Sequence, residues 1–166
     1  MESAGRSMIA VGFIIGIVLL TMFFGDQLED QRNPNREPRS QVQAGVTEVM
    51  LDQNRWGHYL TAGTINNRPV EFLVDTGATD VVVPARLASD LGLTRGRKGR
   101  AMTANGQVTI WSTRIARLTV GDIVLHDVDA SINPGMGDME ILLGMSALAE
   151  VELVQRGDTL TLRQFN

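Results

Sequence analysis

An Asp-Thr-Gly triplet, Asp75 to Gly77, is the strongest candidate for chemistry in this chain. The apolar run Phe-Leu-Val at residues 72–74 precedes it, and the run Val-Val-Val-Pro at 81–84 follows after a short turn. A carboxylate placed where a buried strand breaks into a turn is costly unless hydrogen bonds or a function compensate it. Since Asp and Gly are common in turns, the triplet by itself fits an ordinary strand-ending turn better than an active site.

The residue types in the triplet suit hydrolysis by paired carboxyl groups, without metal, cysteine or activated serine. One ionised Asp takes a proton from water while a protonated partner polarises the scissile carbonyl, and two carboxyls about 3 Å apart share that proton. The Thr76 hydroxyl can lock the loop by hydrogen bonds, and Gly77 lets the backbone approach the reacting centre. Because the chain has one such loop, a second copy of it related by a two-fold axis would have to supply the other Asp75.

The residues around the triplet extend it into a longer pattern, which resembles the retropepsin family of aspartic proteases and its bacterial membrane-anchored branch. The resemblance covers about residues 55–164. In that family an apolar-apolar-Asp-Thr-Gly-Ala loop carries the catalytic Asp, and residues 73–78 match it. The resemblance therefore implies that Asp75 is catalytic and that Thr76, Gly77 and Ala78 support it.

Two further motifs follow in the order that the family shows. A flap hairpin covers the substrate there, and its place in this sequence is taken by Thr103, Ala104, Asn105 and Gly106. A motif of two apolar residues and Gly threads behind the catalytic loop and precedes a short helix, and it is matched by Leu142, Leu143 and Gly144. One departure is Thr79, which stands before Asp80 where retroviral members commonly have Asp directly after the Ala.

Short apolar runs separated by turns fill the chain from about Glu48 and predict mainly β structure. The expected fold is a retropepsin-like acid protease half-barrel with one or two short helices, near residues 84–92 and 146–150. Hairpin turns are predicted at residues 66–67, 105–106, 121–122 and 157–158, where Asn, Asp and Gly supply the required backbone. Residues 47–55 and 159–165 are candidates for the terminal strands that join the family's dimers.

The N-terminal part divides into two predicted segments. Residues 8–24 hold 17 residues without a charge, which predicts an uncleaved transmembrane anchor within an N-terminal unit of residues 1–25. Residues 26–47 are polar with two prolines and predict a flexible linker, followed by a protease domain over residues 48–166. The count of Lys and Arg residues on the two sides of the span would place that domain in the cytoplasm, but long domains can translocate regardless of charge. We favour an inner-membrane protein whose protease domain lies outside the cytoplasm.

Composition argues against several other classes of function. The chain has no Cys, and its two histidines, His58 and His126, lack ligand spacing, so we expect no metal and no cofactor. A formal charge of −4 argues against nucleic acid as a partner. We interpret Trp111 as an aromatic residue packed within a strand in preference to a residue of a substrate pocket. The basic cluster over residues 95–100 is interpreted as a solvated loop in preference to a contact with lipid headgroups.

The sequence thus favours a membrane-anchored aspartic endopeptidase that works as a homodimer on polypeptides, with other membrane proteins or its own linker as candidate substrates. Four apolar residues are candidates for the substrate pocket: Val81, Met102, Ile110 and Trp111. The alternative is a catalytically silent dimer of the same fold, acting as a membrane-tethered peptide-binding scaffold. The intact triplet argues against that alternative, since a scaffold has no need of a buried carboxylate.

Overall fold

The computed structural model describes residues 2–103, 106–137 and 140–165. Its three helices are α1 (Glu2–Arg32), α2 (Ala85–Ala88) and α3 (Met145–Leu148). Its strands are β1 (Arg39–Gln43), β2 (Val46–Asp52), β3 (Leu60–Ile65), β4 (Arg68–Val74), β5 (Val81–Pro84), β6 (Lys98–Thr103), β7 (Gly106–Val120), β8 (Ile123–Asn133), β9 (Ile141–Leu143), β10 (Glu152–Arg156) and β11 (Thr159–Phe165). The protein therefore has the mainly β fold that the sequence predicts.

Seven strands form the main sheet in the order β3-β4-β9-β5-β8-β7-β6. Strand β3 also pairs with β7, through Thr64 opposite Thr119 and Ile65 opposite Leu118, which closes the sheet into a small barrel. Apolar side chains that alternate along these strands fill its interior, and Phe72, Ile115 and Ile132 are fully buried there. Strand β4, which leads directly into the Asp-Thr-Gly triplet, is thus paired on both sides within the closed sheet.

Three of the four predicted hairpin turns lie where the sequence places them. Asn66 and Asn67 join β3 to β4 with φ values of 49° and 64°, the left-handed backbone that Asn tolerates better than most residues. The turns at 121–122 and 157–158 join β7 to β8 and β10 to β11. Strands β6 and β7 pair up to Thr103 opposite Gly106. The turn predicted at 105–106 includes Asn105, which lies outside the described residues, as does Ala104.

A second sheet has the strand order β1-β2-β11-β10. The two segments predicted as candidate dimer strands form its centre, because β2 pairs with β11 from Val46 opposite Phe165 to Asp52 opposite Thr159. Their backbone hydrogen bonds are therefore made within one chain, and the edges of this sheet are β1 and β10 instead.

The segment between the apolar helix and β2 differs from the flexible linker predicted for residues 26–47. Helix α1 continues to Arg32, and β1 lies inside the second sheet. Asn33 and Asn35 are each 3% exposed. The side-chain amide of Asn35 donates to the carbonyls of Asp52 and Leu60, at 2.8 and 2.6 Å, and its oxygen accepts the Asp52 N–H at 2.7 Å. A polar residue with all these hydrogen-bond partners can be buried. For that reason the polar composition of this segment did not indicate that part of it is folded against the domain.

Helix α1 exposes its apolar side chains: Phe13, Leu19 and Met22 are 70%, 61% and 65% exposed to solvent. Among the described residues, one helical stretch, Val11–Arg32, is long and apolar enough to cross a membrane. A helix of this kind near an N-terminus is either a membrane span or a signal sequence.

Candidate active site

Asp75 opens the turn that connects β4 to β5. Its carboxylate Oδ1 accepts the Gly77 N–H at 2.9 Å, and its carbonyl accepts the Ala78 N–H at 3.2 Å. This pair of bonds forms an Asx-type turn, in which the Asp side chain orders its own loop. A Cβ atom at position 77 would lie 3.1 Å from Asp75 Oδ1, so Gly at this position avoids a close contact with the carboxylate. Asp75 is thereby fixed while remaining partly exposed.

Strand β9 passes between the two strands that flank this loop. It pairs parallel with β4, from Phe72 opposite Ile141 to Val74 opposite Leu143, and antiparallel with β5 through Val82 opposite Leu142. At its end the Leu143 carbonyl accepts the Asp75 N–H at 3.1 Å. Further along, the N–H groups of Met145 and Ser146 donate to the carbonyls of Ala78 and Thr79, both at 2.8 Å. The distal Leu-Leu-Gly motif thus holds the Asp75 loop from behind.

Gly144, which follows β9, is the residue at which the backbone comes closest to the Asp75 loop. A Cβ atom there would lie 2.0 Å from the Asp80 carbonyl oxygen and 2.8 Å from that of Ala78. Both neighbours are backbone atoms of the loop itself, so they cannot move aside without displacing Asp75. Gly144 matches the Gly of the family motif in the sequence, and the structure gives a steric reason why a larger residue would not fit at this position.

Ser146 is a supporting residue that sequence reasoning missed. Its hydroxyl donates to the Asp129 carbonyl at 2.6 Å and accepts the Val81 N–H at 2.9 Å, so it joins α3 to β8 and β5. Its position two residues after Gly144, at the start of a short helix, was the available signal, because Ser readily bonds nearby backbone groups there.

An open cleft of about 770 Å³ lies over Asp75. Its lining brings together members of the triplet loop, the flap hairpin and the distal motif: Asp75, Gly77, Ala78, Thr79, Asp80, Val82, Arg100–Thr103, Ile110, Ser131, Asn133 and Leu142. Thr76, Leu143 and Gly144 do not line it; Thr76 is exposed on the loop, and the other two lie behind it. Members of all three predicted motifs, among them Asp75, Thr103 and Leu142, therefore lie at one cleft.

Two of the four predicted pocket residues, Val81 and Trp111, do not line the cleft. Val81 is fully buried in the core, and its neighbour Val82 faces the cleft instead, because successive residues of a strand point to opposite sides. Met102 and Ile110 line the cleft as predicted. Trp111 packs against the core, with the Arg95 guanidinium 4.7 Å from its ring centroid, which confirms the packed interpretation.

A second carboxyl group, that of Asp80, also lines the cleft. Burial raises the pKa of Asp80 above its ordinary value, with a smaller contribution from the negative charge of Asp129. Asp80 stands outside the Asp-Thr-Gly triplet, of which the chain has one copy.

Comparison with known proteins agrees with this geometry. A family described as "gag-polyprotein putative aspartyl protease" matches residues 61–150, which include the triplet, the flap and the distal motif. The chain belongs to the retropepsin-like aspartyl protease family. A solved retropepsin-like aspartic protease from Rickettsia conorii is similar to it, with a TM-score of 0.62, 25% identity, and coverage of 75% of this chain and 96% of that one.

Two relatives of this retropepsin-like chain are described as uncharacterized proteins. The uncharacterized protein in the cobV 5'region of Sinorhizobium sp is 28% identical over 96% of this chain and 73% of its own length. The protein RP867 of Rickettsia prowazekii (strain Madrid E) is 31% identical, but the match covers 62% of this chain and 45% of that protein. The first relative matches the N-terminal part of the chain as well as the retropepsin-like part.

We expect Gly144→Ala to disrupt the retropepsin-like site. The added methyl group would overlap the loop backbone, and a core overlap of this kind costs about 1–3 kcal/mol or more. The variant should therefore melt several degrees lower in calorimetry. Gly99→Ala is the matched control, since a Cβ there meets its nearest neighbour, Ile110 Cγ1, at an ordinary 3.7 Å. Equal melting temperatures for the two variants would contradict the steric argument.

Asp80→Asn should change the pH dependence of stability. Because folding raises the pKa of Asp80, the folded state holds this proton more tightly than the unfolded chain does. The resulting stability is present at low pH and is lost as the pH rises from the ordinary value of 3.8 through the raised folded pKa. The melting-temperature difference between Asp80→Asn and the unmodified chain should thus be more positive at pH 7 than at pH 4.

The control for that measurement is Asp122→Asn, at an exposed turn position. A difference that stays constant with pH for Asp80→Asn would show that burial of this carboxyl does not affect folding.

Proposed function

We propose that this protein is a membrane-anchored aspartic endopeptidase that acts as a homodimer. The observation that carries the proposal is Asp75, fixed by its own turn in the lining of an open cleft that residues of β6 and β7 also line. Membership of an aspartyl protease family supports it.

The chemistry requires two Asp75 carboxyls side by side. In the dimer, the ionised one accepts a proton from water as the oxygen attacks the scissile carbonyl, and the protonated one donates a hydrogen bond to the carbonyl oxygen. The carboxyl that accepted the proton from water then donates it to the peptide nitrogen, the C–N bond breaks, and the intermediate collapses to a carboxylic acid and an amine. The Gly77 N–H bond to Oδ1 fixes which carboxylate oxygen faces the reacting centre.

The proposed two-fold dimer would supply the second catalytic carboxyl, because each chain has one Asp-Thr-Gly loop. The exposed face of the loop at Thr76 and Gly77 lies beside Asp75, and a symmetric contact there would bring the two carboxyls together. The backbone of this loop is already bonded to β9 and α3, so each subunit offers a preformed half of the site.

The proposed substrate is an extended polypeptide lying between the Asp75 loop and the flap. Apolar side chains of Val82, Met102, Ile110 and Leu142 line that space and favour apolar residues near the cleaved bond. Membrane proteins are the substrates we favour, since the anchor holds the cleft near the bilayer. The chain's own residues 33–46 are less suitable, because they are hydrogen-bonded into the fold.

The proposed location is the inner membrane, with residues 8–24 of α1 as a single span and the protease domain outside the cytoplasm. The exposed apolar surface of α1 supports the anchor. Although Arg32, Arg36 and Arg39 follow the span, long domains can cross regardless of nearby charge.

Asp75→Asn should abolish peptide cleavage by the full-length protein in detergent, because an amide cannot accept the proton from water. Asp122→Asn should cleave at the unmodified rate. Cleavage is measured on a peptide library by mass spectrometry, and both variants should sediment as the same dimer. Undiminished activity in Asp75→Asn would remove Asp75 from the mechanism, and a purified dimer that cuts no peptide would favour the scaffold alternative.

The topology can be tested by cysteine labelling, since the chain has no native Cys. Thr94→Cys, exposed on the domain, should react with a membrane-impermeant maleimide in intact spheroplasts. Ser3→Cys, on the other side of the span, should react after lysis. The reverse pattern would place the domain in the cytoplasm.

A further inference from the structure

Arg32, the last residue of α1, bridges two strands of the active site. Its Nη2 lies 2.6 Å from Glu71 Oε2 and 2.6 Å from Glu140 Oε1. Glu71 belongs to β4, and Glu140 directly precedes β9. These are the parallel strands whose far ends meet at Asp75, where the Leu143 carbonyl accepts the Asp75 N–H.

This contact, which we call the Arg32 clamp (Arg32, Glu71 and Glu140), is partly shielded from water. The side chains of both glutamates are 24% exposed, and that of Arg32 is 40% exposed. Asn33 donates to the other oxygen of Glu71 at 2.7 Å. Asn54 donates to the Arg32 carbonyl at 3.0 Å, which fixes the end of the helix from another side.

The clamp differs from an ordinary surface ion pair. Arg36, four residues later, approaches Asp30 at 3.5 Å, with side chains 54% and 71% exposed, and a pair of that kind contributes little. In the clamp, one guanidinium separates two shielded carboxylates on adjacent strands. Without it, two like charges would face each other where β4 and β9 begin their pairing, and like charges on neighbouring strands oppose that pairing.

We propose that Arg32 is a positioning residue for Asp75, and that the end of helix α1 therefore helps to set the geometry of the active site. By holding β4 and β9 in register, Arg32 sets the place of the Asp75 loop through the Asp75–Leu143 hydrogen bond. The catalytic domain then begins at Arg32. Proteolytic release of a domain lacking residues 32–35 would yield an inactive product. The catalytic part of this inference rests on the proposed function.

The test compares two variants of the full-length protein in detergent, Arg32→Gln and Arg36→Gln, each of which loses one positive charge from the same segment. The first measurement is amide hydrogen exchange, which does not require activity. Arg32→Gln should raise the exchange rates of the amides over residues 74–78 and 141–145 by about tenfold, while those of β10 and β11 stay unchanged. Arg36→Gln should leave all of these rates unchanged.

The second measurement is steady-state cleavage. A loop displaced by a fraction of an ångström should lower kcat by about tenfold or more in Arg32→Gln, with KM within about twofold. Arg32→Lys keeps a cation between the glutamates and should recover most of the lost rate and most of the exchange protection. It also serves as the test variant if Arg32→Gln does not fold.

Exchange in Arg32→Gln that matches Arg36→Gln would overturn the proposal. A uniform rise across the whole domain would also overturn it, since that would indicate a general loss of stability rather than a displaced loop. If Arg32→Gln does not fold, Arg32→Lys decides the question. Because Lys keeps the charge but not the shape of the guanidinium, a small residual rise of about twofold, confined to the loop and β9, supports the clamp, and no rise at all or a uniform rise opposes it. Absence of cleavage by the unmodified protein would contradict the proposed function alone, because the exchange pattern still decides the role of Arg32.

Discussion

The site depends on one constraint, the passage of β9 between the strands that flank the Asp75 loop. A parallel pairing on one side and an antiparallel pairing on the other leave no room for a side chain at Gly144. The backbone carbonyls of Ala78 and Thr79 are satisfied by the start of α3, so the loop is ordered even though Thr76 and Gly77 are exposed. A carboxylate can therefore be held still at the surface of a cleft, a geometry that ordinary turns do not provide.

In the proposed mechanism each chain supplies one half of a carboxyl pair. Asp80 also lines the cleft, but it stands outside the Asp-Thr-Gly triplet, and burial raises its pKa above the ordinary value. Symmetry is the simplest way to supply the missing group, because a two-fold axis beside the exposed loop turns one fixed carboxylate into two. The Arg32 clamp extends this logic, since the strands that place Asp75 also receive the end of the N-terminal helix.

Much of this could be predicted from sequence because the signals are local. Turn residues at 66–67, 121–122 and 157–158 fix hairpins, and the triplet and the Leu-Leu-Gly motif carry family-specific patterns. What escaped prediction depends on distant partners. Asn33 and Asn35 are polar in composition but buried, because carbonyls and amides from β2 and β3 satisfy Asn35 and a carboxylate from β4 satisfies Asn33. Val82 faces the cleft in place of Val81, a distinction of one residue that a run of four apolar residues conceals.

Mixing of subunits tests the central claim, that two Asp75 carboxyls from different chains form one site. Unmodified protein is allowed to exchange subunits with Asp75→Asn protein at increasing ratios, with total protein held constant, and cleavage is measured. If the site is shared, activity falls as the square of the unmodified fraction, to about a quarter at equal amounts, because mixed dimers lack one carboxylate. A fall in direct proportion to the unmodified fraction would mean that each chain works alone, and would contradict the account.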